Sequence, residues 1–288
     1  MLDLDGENIY TLLKTAENFL KSKGLPEPKS DAEVLLSFVL QTKRSKLHLL
    51  RTQKPTYKQT LQYENYVLTR AKRKPVAYIT GFAGFMDFEF KVNANVIIPR
   101  PETELLVELA LKVAKEENKK SVLDLCTGSG CIAVSLAKLG SFEEVAASDI
   151  SVNALSVAKE NAQINNIFSE IKFIESDIFN KISDYKFDMI VSNPPYVSQS
   201  EYDNLEPELK FEPKNALVAK DYGLFFYKEI AANAGKYLNG KGCILLELNS
   251  NKVKDICQIF LDNKYEHIEI TNDYSGFPRI LKSQKTHL

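Results

Sequence analysis

From residue 121 onward the chain alternates short apolar runs with stretches of helical periodicity, and that alternation leaves few folds open. Runs at 121–125, 145–150, 171–174, 187–191 and 244–248 read as buried strands, and the segments near His267 and Ile280 as final strands. Helical spacing follows a glycine-rich turn to about residue 139, then returns at 152–164, 224–237 and 253–260. Strands separated by helices need crossover connections, which implies a parallel sheet with both faces covered. An open, doubly wound α/β sheet is the natural closure.

The first part of the chain has a different character. Ile9, Leu12, Leu13, Ala16, Phe19 and Leu20 fall at helical spacing, and Gly24 with Pro26 stops the pattern. Ser30 with Glu33 reads as a capping box ahead of a helix through Leu40; Thr56 with Gln59 reads as a second, opening a helix to about Arg73. The first 75 residues therefore read as a small helical bundle. Between residues 82 and 98, Phe82, Phe85, Phe88, Phe90, Val92, Val96 and Ile98 approximate period-two alternation, with Asn93 near the middle. This predicts a strand pair linking the bundle to the sheet.

A length of 288 residues lies near the limit for one hydrophobic core, so one large domain or two unequal ones are expected. The formal charge of -1 removes the whole-molecule basic field of dedicated nucleic-acid binders. No apolar run approaches the ~20 residues that span a bilayer. Asp3, Asp5 and Glu7 speak against a secretory signal or transit peptide. Cys126, Cys131, Cys243 and Cys257 show no CxxC spacing, which disfavours a metal site or a disulfide scaffold and suits a cytoplasmic protein. Charge is uneven: residues 1–79 carry +6, the remainder -7, and residues 41–74 hold ten basic side chains against one acidic. That stretch is either a solvated helical surface or a docking face for an acidic protein or RNA.

Three segments carry chemistry. In Asp124-Leu125-Cys126-Thr127-Gly128-Ser129-Gly130 a buried strand gives way to a glycine turn and a helix, so backbone N–H groups can meet a ligand closely. It is not the G-x-G-x-x-G dinucleotide fingerprint, because the third place falls on Ala133. Asp149 ends the next strand, 25 residues after Asp124, where a carboxylate can accept from a ribose diol or merely cap the following helix. Paired with the glycine turn, it points to a nucleoside-containing cofactor. Asn193-Pro194-Pro195-Tyr196 follows the apolar strand at 187–191; two prolines cannot continue a central strand, so the chain turns at the strand's carboxyl end, the ligand edge of such sheets. There the Asn193 side-chain oxygen and the Pro194 carbonyl can accept both hydrogens of a planar NH2 group, with Tyr196 against its face.

DLCTGSG, Asp149 and NPPY in this order resemble class I S-adenosylmethionine-dependent methyltransferases that modify planar amino or amide nitrogens. The rest resembles the bacterial release-factor glutamine methyltransferases, through Asp31-Ala-Glu-Val-Leu-Leu, Pro75-Val-Ala-Tyr-Ile-Thr-Gly81, Ile98-Pro-Arg-Pro-Glu-Thr-Glu104, Phe211-Glu-Pro213 with Ala216-Leu217, and Asp221-x-Gly223. The resemblance implies a Rossmann-like, seven-stranded, mostly parallel sheet at 99–288, a β-hairpin linker at 79–98 and a substrate-recognising helical bundle at 1–78. It implies methylation of the glutamine side-chain amide in the Gly-Gly-Gln motif of release factors, in the cytoplasm, by a monomer that needs neither nucleic acid, membrane nor metal. Asn193, Pro194 and Tyr196 would be catalytic and, with Pro195, would bind substrate. S-adenosylmethionine would lie on Cys126, Thr127, Gly128, Ser129, Gly130, Asp149, Asp177, Ile178 and Asn193, leaving as S-adenosylhomocysteine.

Three positions depart from the family pattern. Ile178 stands where an aromatic residue is common, Cys126 where a glycine is common, and Glu247-Leu248-Asn249 replaces Glu-x-Gly. Arg100, Glu102 and Glu104 either close the pocket or cap a helix beginning at Thr103. His48, His267 and His287 lie outside every motif. A nucleic-acid adenine or cytosine methyltransferase would share NPPY but not IPRPETE with FEP; a non-catalytic scaffold would have damaged motifs; a nicotinamide dehydrogenase would carry the full fingerprint.

Overall fold

The computed structural model describes residues 7–167, 170–182 and 185–285; Asp3, Asp5 and His287 lie outside them. The chain forms two compact units, Met1–Gly81 with Glu206–Phe211, and Phe82–Leu205 with Glu212–Leu288.

The first unit is helical, with α1 (Ile9–Ser22), α2 (Pro28–Val39), α3 (Tyr57–Arg70) and a short α4 (Val76–Thr80). Leu12, Ala16 and Leu20 pack with Leu35, Leu36, Tyr63 and Val67 in its core. Asn8 caps α1 by accepting from the Thr11 N–H at 3.0 Å. The Thr56–Gln59 capping box forms at α3. The Ser30–Glu33 box does not: α2 begins two residues earlier, at Pro28, whose fixed φ suits the first helical position, and Glu27 takes the cap place without a side-chain bond. Arg70 is 4% exposed and donates to the buried Asp31 at 2.7 Å and to the half-buried Glu208 at 3.1 Å, an ion-paired trio within this unit.

The second unit opens on a hairpin, β1 (Phe82–Phe85) and β2 (Phe88–Lys91), turning at Met86 and Asp87. Both turn residues have positive φ, 50° and 61°, the left-handed pair that a tight hairpin requires. The strand pair is thus shorter than the 82–98 alternation predicts, and Asn93 is not its turn. Residues 92–98 leave the ladder and run on as non-strand chain toward α5 (Pro101–Glu116), which starts two residues before Thr103.

Then come β3 (Ser121–Leu125), α6 (Cys131–Leu139), β4 (Glu144–Asp149), α7 (Val152–Ile164), β5 (Ile171–Glu175) and β6 (Phe187–Ser192). Three short helices follow, α8 (Gln199–Asp203), α9 (Lys214–Leu217) and α10 (Phe225–Asn233), then β7 (Leu238–Glu247), α11 (Val253–Asp262), β8 (Tyr265–Asn272) and β9 (Pro278–Lys285). The seven-stranded sheet has the order β5-β4-β3-β6-β7-β9-β8. Its first five strands are parallel, and β9 runs antiparallel to both β7 and β8. This is a class I methyltransferase fold.

Strand alternation supplies both cores. Val122, Met189, Val191 and Leu245 face α5 and α6, while Leu123, Ile190, Ile244 and Leu246 face α10 and α11. Burial on both faces explains the near-continuous apolar runs. β7 begins six residues before 244, because Leu238 pairs with Phe187 across a bulge that carries the strand through the turn-like Gly240-Lys241-Gly242. Among the described residues no helix is long and apolar enough to cross a membrane.

Candidate active site

The chain reverses its winding direction at β3, which lies between β4 and β6, and ligands of open α/β sheets bind at the carboxyl edge beside such a point. In register there are Leu125 with Ser148 and with Ser192, so the segments after β3, β4 and β6 emerge side by side. They line a pocket of about 1000 Å³, its open mouth included.

Two carboxylates shape the glycine turn. Asp124 Oδ2 accepts from the Thr127 hydroxyl at 2.5 Å and from the Ala133 N–H at 3.0 Å. Asp149 Oδ2 accepts from the Gly128 N–H at 2.9 Å, and its Oδ1 from the Ser151 N–H at 2.9 Å. Ser151 itself caps α7 through the Ala154 N–H, so Asp149 is not the cap. Gly128 has φ 54° and nothing within 4 Å of where a Cβ would stand, leaving its backbone open to the pocket. Gly130 has φ 80° and packs its Cα side against Ala158, where a Cβ would come within 2.9 Å.

Of the residues singled out in the sequence, Cys126, Thr127, Gly128, Ser129, Asp149, Asp177 and Ile178 line the pocket, as do Asn193 and Pro195. Gly130, Pro194 and Tyr196 do not. Gly130 is turned to helix packing, Pro194 is buried, and Tyr196 donates its hydroxyl to Glu247 Oε1 at 3.2 Å. Burial pushes the Tyr196 phenol up, with the Glu247 charge adding, so it stays protonated. Burial, with Asp149 and Asp124 nearby, also pushes the Cys126 thiol far up. A thiol held neutral is a packing residue of the turn and not a nucleophile.

The remaining departures have local explanations. Cys126 and Ile178 both adopt positive φ, 62° and 49°, conformations that cost about 1–3 kcal/mol in a non-glycine residue and that gather at ligand sites. Asn249, in place of glycine, has an ordinary φ of -72° and uses its side chain to cap the turn at 250–252 and to donate to the Tyr196 carbonyl at 3.4 Å. Its neighbourhood is tight: Gly223 has φ 91°, and a Cβ there would lie 2.3 Å from that same carbonyl oxygen.

The IPRPETE and FEP segments meet. Arg100 lines the pocket and pairs with Glu212, which is 4% exposed. Glu104 neither closes the pocket nor caps its helix; it accepts from the Met86 N–H at 2.8 Å and so ties the hairpin turn to α5. Glu102 is exposed. Residues 95–98, the end of the expected strand pair, form a pocket wall instead, together with Pro99 and Arg100. His48 and His267 are exposed and are not among its lining residues.

The sequence reading gave several groups no role in the site. Thr103 takes a hydrogen bond from Asn193 Nδ2 at 3.2 Å and gives one to Glu247 Oε2 at 2.7 Å. Asn161, fully buried in α7, donates to the Ser129 carbonyl at 2.8 Å and exchanges bonds with the Lys91 backbone. A polar residue among Ala154, Leu155, Ala158 and Ala162 on one helix face was the available signal. Asn215, Ala216 and Phe226 complete the pocket rim.

Comparison with known proteins gives the same frame. Residues 101–220 match the Methyltransferase small domain and residues 11–81 the PrmC N-terminal domain. The chain is 39% identical to the release factor glutamine methyltransferase of Fusobacterium nucleatum, over 98% of its own length and 80% of the relative's. It is 38% identical to the enzyme of the same name from Leptospira interrogans, over 96% and 97% of the two chains. A methyltransferase structure from Pyrococcus furiosus superposes with a TM-score of 0.53 at 17% identity, covering 78% of this chain and 98% of that one, a likeness of fold alone. Sheet order, motif placement and full-length similarity agree, and the chain belongs to the release factor glutamine methyltransferase family.

Proposed function

We propose that this enzyme transfers a methyl group from S-adenosylmethionine to the side-chain amide nitrogen of the glutamine in the Gly-Gly-Gln motif of peptide chain release factors, acting in the cytoplasm as a monomer. The observation that carries the reading is the setting of Asn193. It sits at the rim of the pocket beside the glycine turn, with its NH2 end bonded to Thr103 and its Oδ1 without a partner among the described residues. Membership of the family supplies the substrate class.

The pocket's residues fit the donor. The open backbone at Gly128, the Asp149 carboxylate and the aliphatic Ile178 suit, in turn, a close-lying amino-acid part, a ribose diol and an adenine face. Thr127 to Ser129, Asp149, Asp177 and Ile178 would hold it. S-adenosylmethionine supplies a methyl carbon activated by a sulfonium. The remaining work falls to the chain's own groups.

An amide nitrogen is a poor nucleophile because its lone pair is delocalised into the carbonyl. The site must hold the NH2 so that this lone pair meets the methyl carbon. We assign one hydrogen to Asn193 Oδ1 at the pocket rim and the other to the carbonyl of Pro194, a buried residue that does not itself line the donor pocket; the two acceptors orient the NH2 and stabilise the positive charge that grows on nitrogen. Positioning can lower such a barrier by roughly 7–11 kcal/mol, so no general base is needed and the proton leaves after transfer. That suits a pocket lined by no His or Lys among the described residues.

The decisive experiment is mass spectrometry of a release factor after incubation with this protein and S-adenosylmethionine. One added methyl on the glutamine of the Gly-Gly-Gln loop is expected. An unmodified factor, or transfer to a duplex DNA control instead, would refute the assignment.

We assign the helical bundle, residues 1–78, to recognition of the protein substrate. Within its basic stretch, Arg70 and Arg73 pair with Glu208, and Arg44 with Glu33, so these serve the bundle itself. Lys43, Lys46, Lys54 and Lys72 are exposed. Reversing these four charges is expected to raise the KM for release factor roughly tenfold while donor affinity holds, because rim charges act on encounter. A KM equal to that of the unaltered enzyme would remove the bundle's basic face from recognition.

A further inference from the structure

Behind the proposed acceptors lies a buried chain of hydrogen bonds that the methyl-transfer reading leaves without a task. Thr103 and Glu247 are each 2% exposed. Asn193 Nδ2 donates to Thr103 Oγ1 at 3.2 Å, the Thr103 hydroxyl donates to Glu247 Oε2 at 2.7 Å, and the Tyr196 hydroxyl donates to Oε1 at 3.2 Å. Both ends of the Asn-Pro-Pro-Tyr turn thus hang on one carboxylate at the end of β7.

We infer that Glu247, acting through Thr103, is a positioning residue that decides which end of the Asn193 amide faces the substrate. An ionised carboxylate only accepts, so the single Thr103 proton is committed to it. The Thr103 oxygen then has lone pairs alone to offer Asn193. Only the NH2 end of Asn193 can satisfy it, and the carbonyl end is left for the substrate amide. The direction of the chain is set by the charge at its buried end.

A neutral amide at position 247 would lose this one-way character. Glutamine there can donate to Thr103, whose proton is then free to bond Asn193 Oδ1, and the Asn193 amide can turn over. The turned amide presents two donors to a substrate NH2 that itself needs acceptors. A buried carboxylate is a costly choice at a site that packing alone could fill with an apolar side chain. Its presence under a turn that must orient a planar nitrogen is what the relay explains.

Protonation of Glu247 has the same consequence as the glutamine. The groups facing it are Thr103 and Glu102 from α5, Cys131 from α6, Tyr196 from the turn, Tyr227 from α10 and Arg279 from β9. Burial raises its carboxyl above the ordinary range, against the opposing pull of Thr103, Arg279 and Tyr196. Turnover should therefore fall on the acid side as this carboxyl takes up a proton.

The inference rests on the proposed function, and the wild-type enzyme separates the two: absence of glutamine methylation by wild type would be a failure of that function, not of the relay. With wild type active, Thr103→Val, Thr103→Ser and Glu247→Gln are compared in single-turnover methyl transfer at saturating donor, with donor affinity measured by calorimetry. Valine matches threonine in shape and lacks the hydroxyl. T103V is expected to lose about 100-fold in rate, the scale of a misoriented reacting group, with donor affinity unchanged. T103S should recover most of the rate. E247Q should lose rate to a similar extent and also lose the acid limb of the pH–rate profile. Wild-type turnover in T103V, or an unchanged rate and pH profile in E247Q, overturns the relay. Should T103V fail to bind donor, E247Q decides alone on the same two measurements.

Discussion

Asn193→Ala is expected to reduce methyl transfer by about 10²–10³-fold, the cost of removing one preorganised group from a developing charge, with donor affinity and melting temperature near wild type. The stability side of this expectation follows from how little Asn193 does for the fold. It is half-buried at the pocket rim, and among the described residues its side chain makes a single hydrogen bond, to Thr103 at 3.2 Å. Losing one such bond costs on the order of 1 kcal/mol. The catalytic side follows from the absence of any substitute. The Pro194 carbonyl alone can hold one hydrogen of an NH2 group, and one contact leaves the group free to rotate about it. A radiolabelled-methyl assay on a release factor, run beside calorimetric donor binding, separates the two effects. Near-normal turnover in the variant would end the assignment of Asn193 as an acceptor of the substrate amide.

What the sequence discloses here depends on how far apart cooperating residues lie. The glycine turn and Asn-Pro-Pro-Tyr are contiguous, so spacing alone exposes them. The Thr56–Gln59 box and the span of α7 are equally local and equally legible. Ser30 misleads because proline two positions earlier can open the helix first. The 82–98 alternation misleads because period two describes any extended chain, whether it pairs in a ladder or walls a pocket as residues 95–98 do. The supporting groups are illegible for a different reason. Asn161 reaches the turn across 32 residues, Thr103 reaches Asn193 across 90, and Glu247 lies 144 residues from Thr103. Each reads singly as an ordinary polar residue, and its meaning appears only when the sheet brings β3, β6 and β7 to one edge. Asp149 fits either a ligand or a cap role by spacing alone, and the structure gives the cap to Ser151.

Asp124 carries the second large effect, a dependence of stability on pH that runs against the usual carboxylate trend. It is fully buried in β3; its Oδ2 takes both of its hydrogen bonds and its Oδ1 has no partner among the described residues. Burial pushes its pKa up to about 7 from an ordinary 3.8, with Asp149 adding and the bonds from Thr127 and Ala133 opposing. Between those two values the folded chain keeps a proton that the unfolded chain has released. The folded state therefore binds more protons, and stability falls as pH rises through this window, flattening once both states are ionised. The contribution lost is on the order of a few kcal/mol. Asp124→Asn keeps an oxygen to accept from Thr127 and Ala133 and has no charge to bury, so it should abolish this slope. Asp149, also raised by burial, adds a slope of the same sign to both proteins, and it cancels in the comparison. Denaturant unfolding of wild type and D124N at pH 5.5 and pH 8 is the measurement. The variant should gain on wild type as pH rises, and two curves that stay parallel would mean that Asp124 is already ionised below this range, with its second oxygen solvated after all.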